Sequence, residues 1–293
     1  MLNSGMWRSA GLSIPLVFMS TCAALAVDTQ PLDFIPLPPG SNGALLYLNY
    51  GHNDGVVVDG KETSGSLDTF AIVPRYVYFF DVAGYTADVN ILLPHVSLND
   101  GDIGGFKLDD TSGVGDLSIV GTFWFLNDSD ARRHAAVAAY LNIPTGEYEP
   151  SDVLNPGSNR VSGSLQLGGT FGLSDRWTLD AVTDVTVYGD NQNSDGLGST
   201  LTQDPTYTAQ TWLTYSVTDR FNLSAGYGIY GGGKQFVDGD YIGFNSKKQQ
   251  VRLSSSYFLT PTVQILGQIN HDFDVDGGFE QDYSALVRIF KMF

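Results

Sequence analysis

The sequence predicts an all-β fold: a transmembrane antiparallel up-and-down β-barrel of 12 strands, with short periplasmic turns and long extracellular loops. Three observations predict it. Segments mostly ten to fourteen residues long alternate apolar and polar side chains with period two, as a strand with one apolar and one wet face does. The connections between them alternate short and long along the whole chain. The last segment, residues 281–293, reads as a closing strand. Tyr283, Ala285, Val287, Ile289 and Phe293 share one parity there, and Asp282, Ser284 and Arg288 the other. Such a strand ending a soluble protein would invite aggregation, whereas in a lipid-embedded barrel it has lipid outside and a polar lumen inside.

In chain order, residues 1–26 read as a secretory signal peptide. Arg8 gives the positive start, Leu12 to Met19 the apolar core, and Ala24-Leu25-Ala26 an A-x-A cleavage site. The one cysteine, Cys22, lies inside it, so the mature chain is expected to hold no disulfide and no thiolate ligand. Residues 27–42 carry Pro31, Pro36, Pro38, Pro39 and Gly40 and predict an extended leader, periplasmic or plugging the barrel mouth.

Residues 43–293 form the predicted barrel. Its strands are placed near 43–52, 67–80, 85–97, 114–126, 134–143, 161–173, 177–188, 206–217, 221–231, 249–259, 262–271 and 281–293. Short turns are expected at Asp81–Gly84, Asn127–Arg133, Ser174–Arg176, Thr218–Arg220 and Thr260–Pro261, and long loops near 53–66, 98–113, 144–160, 189–205, 232–248 and 272–280. An even strand number puts both ends on the periplasmic side. Tyr76, Tyr78, Phe80, Trp177 and Phe221 gather beside short turns, as an interfacial aromatic girdle does. Lys291 falls on the lipid parity, close enough to the end to snorkel to the interface.

Charged residues make up only 16% of the chain, and mean hydropathy is −0.05, as expected when lipid-facing and lumen-facing residues average out. Beyond the N-terminus no apolar run is long enough for a helical span. Without Arg8 the basic residues number 14 against 32 acids, a balance that argues against nucleic acid as a partner.

Several stretches resemble a family of outer-membrane proteins named for a role in the meta-cleavage pathway of phenol degradation. They are Asp33 to Gly40 (DFIPLPPG), Arg75 to Tyr78 (RYVY), Gly113 to Asp116 (GVGD), Ile143 to Tyr148 (IPTGEY) running on to Asn155 to Arg160 (NPGSNR), and Gln203 to Pro205 (QDP). The sequence departs from the family at its ending, where Lys291 stands in place of an aromatic residue. The resemblance implies a barrel for the passage of small, often aromatic, compounds.

The wet parity, assigned to the lumen, supplies the candidate solute path: Arg75, Asp88, Asn90, Asp116, His134, Asp180, Asp184, Gln210, Arg252, Gln264, Gln268 and Arg288. Charges this numerous are not accidents of a lipid face. They either line a selective pore or pair with one another to stiffen the barrel. His95-Val96-Ser97 resembles the His-x-Ser arrangement of outer-membrane phospholipase A, but no orienting carboxylate or amide flanks it. Asp100, Asp102, Asp109, Asp110 and Asp116 match no EF-hand spacing and read as a solvated loop.

The expectation is therefore an outer-membrane channel for a small aromatic or hydrophobic solute, reached by signal-dependent export and using no cofactor or metal. The alternatives are a non-conducting surface-interaction barrel and a barrel lipid hydrolase. The expected partners are outer-membrane lipid and lipopolysaccharide, the barrel-assembly machinery through residues 281–293, and the solute.

Overall fold

A computed structural model describes residues 28–293, together with the backbone of Met19–Ser20. Apart from that pair, the expected export signal lies outside the described residues.

Twelve antiparallel staves close into a barrel. They are β1 (Asn42–Val58), β2 (Lys61–Val82), β3 (Tyr85–Leu92 continued by His95–Ile103), β4 (Thr111–Val114 continued by Leu117–Asp128), β5 (Arg133–Ile143), β6 (Ser162–Gly172), β7 (Trp177–Tyr188), β8 (Thr206–Thr218), β9 (Phe221–Gly232), β10 (Lys248–Thr260), β11 (Val263–Phe273) and β12 (Gly278–Met292). Each pairs with its chain neighbours, and β12 returns to β1 from Gly43↔Met292 up to Val57↔Gly278. Closure satisfies every edge, which is what a sheet in hydrocarbon requires.

Alternation along each stave separates two environments. On β7, Thr178, Asp180, Val182, Asp184 and Thr186 are buried inward, while Trp177, Ala181, Thr183 and Val187 are exposed outward. Beside the short turns the outward aromatics pair up: Tyr78 with Phe80, Tyr85 with Phe123, Trp177 with Tyr215 and Phe221 with Tyr257. Lys291 reaches Thr262 Oγ1 at 2.9 Å at the same end.

Three expectations are corrected. First, residues 53–66 are no loop. β1 and β2 run on as a ladder to Val58↔Lys61, turning at Asp59-Gly60, whose φ angles of 51° and 71° belong to a two-residue hairpin turn. The Asp-Gly pair after Val56-Val57-Val58 carried that signal. Likewise β3 extends to Ile103 before the short Phe106–Lys107 strand. Second, the leader is not extended. Backbone bonds from Asp33 N to Gln30 O and from Ile35 N to Leu32 O fold it into consecutive turns. Third, the interior is wet on one side only. Along β2, Leu67, Ala71, Val73, Val77 and Phe79 point inward although Phe70, Ile72, Tyr76 and Tyr78 point outward, so this stave is apolar on both faces. Its inner side packs with Val96, Leu98, Val120 and Leu154, the last brought in by the β5–β6 loop.

That loop is latched by Asp116. The buried carboxylate accepts Gly146 N at 3.0 Å, Ser158 N at 2.9 Å and the Ser158 hydroxyl. Gly146 and Gly157 pass so closely that a β-carbon on Gly146 would sit 2.8 Å from Gly157 Cα. Removing the carboxylate takes the acceptor from three part-buried donors, each costing up to about 1–3 kcal/mol. Asp116→Ala is therefore expected to make the 144–160 loop cleavable by added protease while the barrel keeps its heat-modifiable mobility on SDS gels. An unchanged proteolysis pattern would exclude the latch.

Candidate functional site

The lumen holds the leader, and the side chains that hold the leader define the site. Trp124 and Trp212 lie on the inward parity of β4 and β8, buried to 3% and 1% exposure. An indole in such a place needs an acceptor for its N–H. Trp124 Nε1 donates to Phe34 O at 2.8 Å, and Trp212 Nε1 donates to Thr29 O at 3.1 Å. The ring of Phe34 fills the space over Gly168 on β6, where a β-carbon would overlap it. Around it pack Leu45, Val77, Phe79, Ala136 and Val182.

All twelve sequence-derived candidates lie on the inward parity, and the structure gathers most of them into groups. Arg75 donates from Nε to Asn90 Oδ1 at 2.8 Å and from Nη1 to Tyr47 OH at 3.3 Å, and Asn90 Nδ2 donates to Asp88 at 2.8 Å. Arg288 Nη1 contacts Asp33 Oδ1 at 2.6 Å, and its Nη2 donates to Gln264 Oε1 at 3.0 Å. Arg252 donates to Gln250, to Gln210 Oε1 at 2.8 Å and to the Tyr230 hydroxyl, and lies 3.4 Å from Asp28. Asp180 accepts Leu32 N at 3.1 Å and the Thr170 hydroxyl. Asp184 and Gln166 sit together on adjacent staves, and Gln268 donates to Asn270 at 2.8 Å. Two candidates stand apart. His134 bonds Asn127 at 2.7 Å near a short turn, and Asp116 latches the loop described above.

Lys248 and Asp272 pair across adjacent staves at 2.7 Å, but two of the candidate arginines do not pair with the wall. Arg252 and Arg288 find their carboxylates on the leader, at Asp28 and Asp33, and wall Asp180 holds a leader N–H. Sequence reasoning missed Asp28, Asp33, Phe34 and the two tryptophans as partners. Trp212 did carry a signal, because it shares a face with Thr208, Gln210, Thr214 and Ser216, where an indole signals a bonded N–H.

Among the described residues, a cavity lies on either side of the leader. The one toward the long loops measures about 330 Å³ and is lined largely by polar residues, among them Asn49, Arg160, Asp184 and Gln268. Burial holds the Arg160 guanidinium below its usual range, though it remains charged, and the Tyr188 ring lies 4.8 Å beneath it. The one toward the short turns measures about 260 Å³, with Val77, Phe79, Phe258 and Phe290 in its wall beside Arg75 and Arg288.

His95 and Ser97 are paired to outward residues of β2, with the Ser97 hydroxyl bonded to Ser112 at 2.8 Å. The acidic loop bonds its own backbone: Asp110 accepts Asp100 N and Asp102 accepts Gly105 N, each at 2.9 Å. Among the described residues, no three His, Cys, Asp or Glu side chains gather as metal ligands.

A closed twelve-stranded antiparallel barrel with an apolar outer band is an outer-membrane β-barrel. The chain belongs to the family described as "Putative MetA-pathway of phenol degradation", whose pattern matches residues 49–287. It is similar to the crystal structure of an outer membrane channel from Pseudomonas putida F1, with 28% identity over 91% of this chain and 100% of that one and a TM-score of 0.85. Two autotransporter barrels share the fold alone. The transport unit of AIDA-I from Escherichia coli has 11% identity over 92% of this chain and 94% of its own, with a TM-score of 0.57. The β domain of Bordetella BrkA has 8% identity over 85% and 98%, with a TM-score of 0.56. None of the curated proteins matches this chain.

A bulkier residue at 168 has to push Phe34 off the wall. Gly168→Leu is expected to raise single-channel conductance in planar bilayers several-fold over wild type, with the folded band on SDS gels retained. Equal conductance in the two proteins would mean that Phe34 does not obstruct the lumen.

Proposed function

We propose that this barrel passes a small apolar or aromatic solute across the outer membrane, around the leader, and that it excludes larger hydrated solutes. The observation that carries this reading is the leader itself. It is bonded to staves on every side of the barrel, among them β4, β7, β8, β10 and β12, and separates two small cavities where an open aqueous pore would run. Passage through so tight a space requires shedding water. Phenylalanines and aliphatic side chains in the cavity toward the short turns, the inner cavity, make that step favourable for an apolar body and costly for a sugar. The lumen candidates that the strand pattern picks out then serve in two ways. Arg252, Arg288, Gln210 and Asp180 hold the leader, and Asp184, Gln268 and Arg75 line the cavities it leaves.

In this reading residues 1–26 direct export, residues 281–293 present the closing strand to the assembly machinery, and lipopolysaccharide surrounds the loops. The membership in a family of outer-membrane barrels and the likeness to a bacterial channel support it. Cells expressing the protein are expected to take up a naphthalene-sized aromatic probe several-fold faster than cells lacking it. Proteoliposomes carrying it are expected to swell little in a disaccharide. Aromatic uptake equal with and without the protein would favour the non-conducting barrel instead, a reading the filled lumen also accommodates.

A further inference from the structure

We propose that the inner cavity is a binding site for a small organic carboxylate with an aromatic or branched aliphatic body, and that Asp33 of the leader is its internal stand-in. The inference rests on the channel reading above and narrows it to a solute class.

The cavity has two chemically distinct parts. One part is apolar: Val77, Phe79, Phe258, Phe290 and Met292 line it. At about 260 Å³ it exceeds the roughly 150 Å³ that suffices for a benzene ring, so one ring and a short substituent fit. The other part is cationic. Arg75 and Arg288 sit on β2 and β12, separated by the single stave β1 and paired to its Leu45 and Tyr47, which puts their backbones about 12 Å apart. Both guanidiniums line the same cavity.

Neither arginine is saturated by carboxylate. Arg75 donates to an amide and a phenol, and meets Asp88 only through Asn90. Arg288 has one carboxylate, Asp33, which uses a single oxygen on Nη1 and spends the other on Gln30 N at 2.9 Å. Its Nε is buried with no partner. An arginine presents parallel N–H pairs to a carboxylate, and the paired geometry is the stronger one. Arg288 therefore offers an incoming carboxylate a better fit than Asp33 takes from it.

Charge counting selects a replacement over an addition. Arg75 and Arg288 face Asp33 and Asp88, a balanced set, and a further anion would leave an uncompensated buried charge. Asp33 can leave because its side chain is 24% exposed and keeps its bond to Gln30 N, whereas Arg288, at 6%, stays buried and needs an anion. A neutral aromatic leaves Asp33 in place and gains only the apolar wall. The site thus discriminates by charge at fixed shape.

The test uses the full barrel refolded in detergent, its fold checked by heat modifiability, with benzoate and its neutral isostere benzamide as probes in calorimetry. Benzoate is expected to bind at least tenfold more tightly than benzamide. Arg288→Gln should remove that preference, and Asp33→Asn should tighten benzoate severalfold while leaving benzamide unchanged, because the internal competitor is gone. Equal affinities for the two probes, benzoate binding untouched by Arg288→Gln, or benzoate weakened by Asp33→Asn would each overturn the proposal. If benzoate binds neither wild type nor Asp33→Asn while cells still take up the aromatic probe, the site is refuted and the channel stands. If benzoate binds as expected and uptake is absent, the site stands without the channel.

Discussion

Closure is the constraint from which the rest of this structure follows. No water in hydrocarbon can satisfy a free strand edge, so every ladder bond has to be made within the chain. The β1–β12 seam does this over a register running from Gly43↔Met292 to Val57↔Gly278, and Phe293 N still donates to Asn42 O at 2.9 Å beyond it. Once closed, a sheet of twelve staves has an interior too wide for opposing side chains to fill and narrower than an open porin lumen. Water or chain has to occupy that space, and here the leader does.

Filling a lumen with a polypeptide segment creates a second demand. The segment carries backbone N–H and C=O groups into a place with little water, and each needs a partner. Indoles at Trp124 and Trp212 meet two carbonyls, and Asp180 meets an N–H. The wall arginines Arg252 and Arg288 need buried counter-charges, and the leader brings Asp28 and Asp33. Wall and leader therefore complete one another: neither set of charges and donors is satisfied alone.

The apolar inner side of β2 fits the same logic. A plug made wholly of polar contacts would gain little over a hydrated lumen, whereas Phe34 against Leu45, Val77, Phe79 and Ala136 buries apolar surface at about 25 cal/mol per Å². Gly168 supplies the clearance that lets the phenyl ring reach the wall.

The architecture was legible because it is written in period-two alternation, a local property. Staves β5 to β11 were readable nearly to the residue, since one face meets lipid and the other meets polar groups. Legibility failed where the two faces stop differing: β2 is apolar on both, and the β1–β2 hairpin rises beyond the alternating region, announced only by Asp59-Gly60. The inward residues of the site were likewise readable as a face, down to Arg75, Arg252 and Arg288. Their partners were not, because Asp33 lies 255 positions from Arg288 and nothing in the spacing of the chain couples the two. The sequence by itself determined a twelve-stranded barrel, the places of its short turns, and which side chains turn inward. Only the tertiary structure decided that the leader occupies the lumen and which charges it meets, because a parity says which way a side chain points and closure in three dimensions says what it finds there.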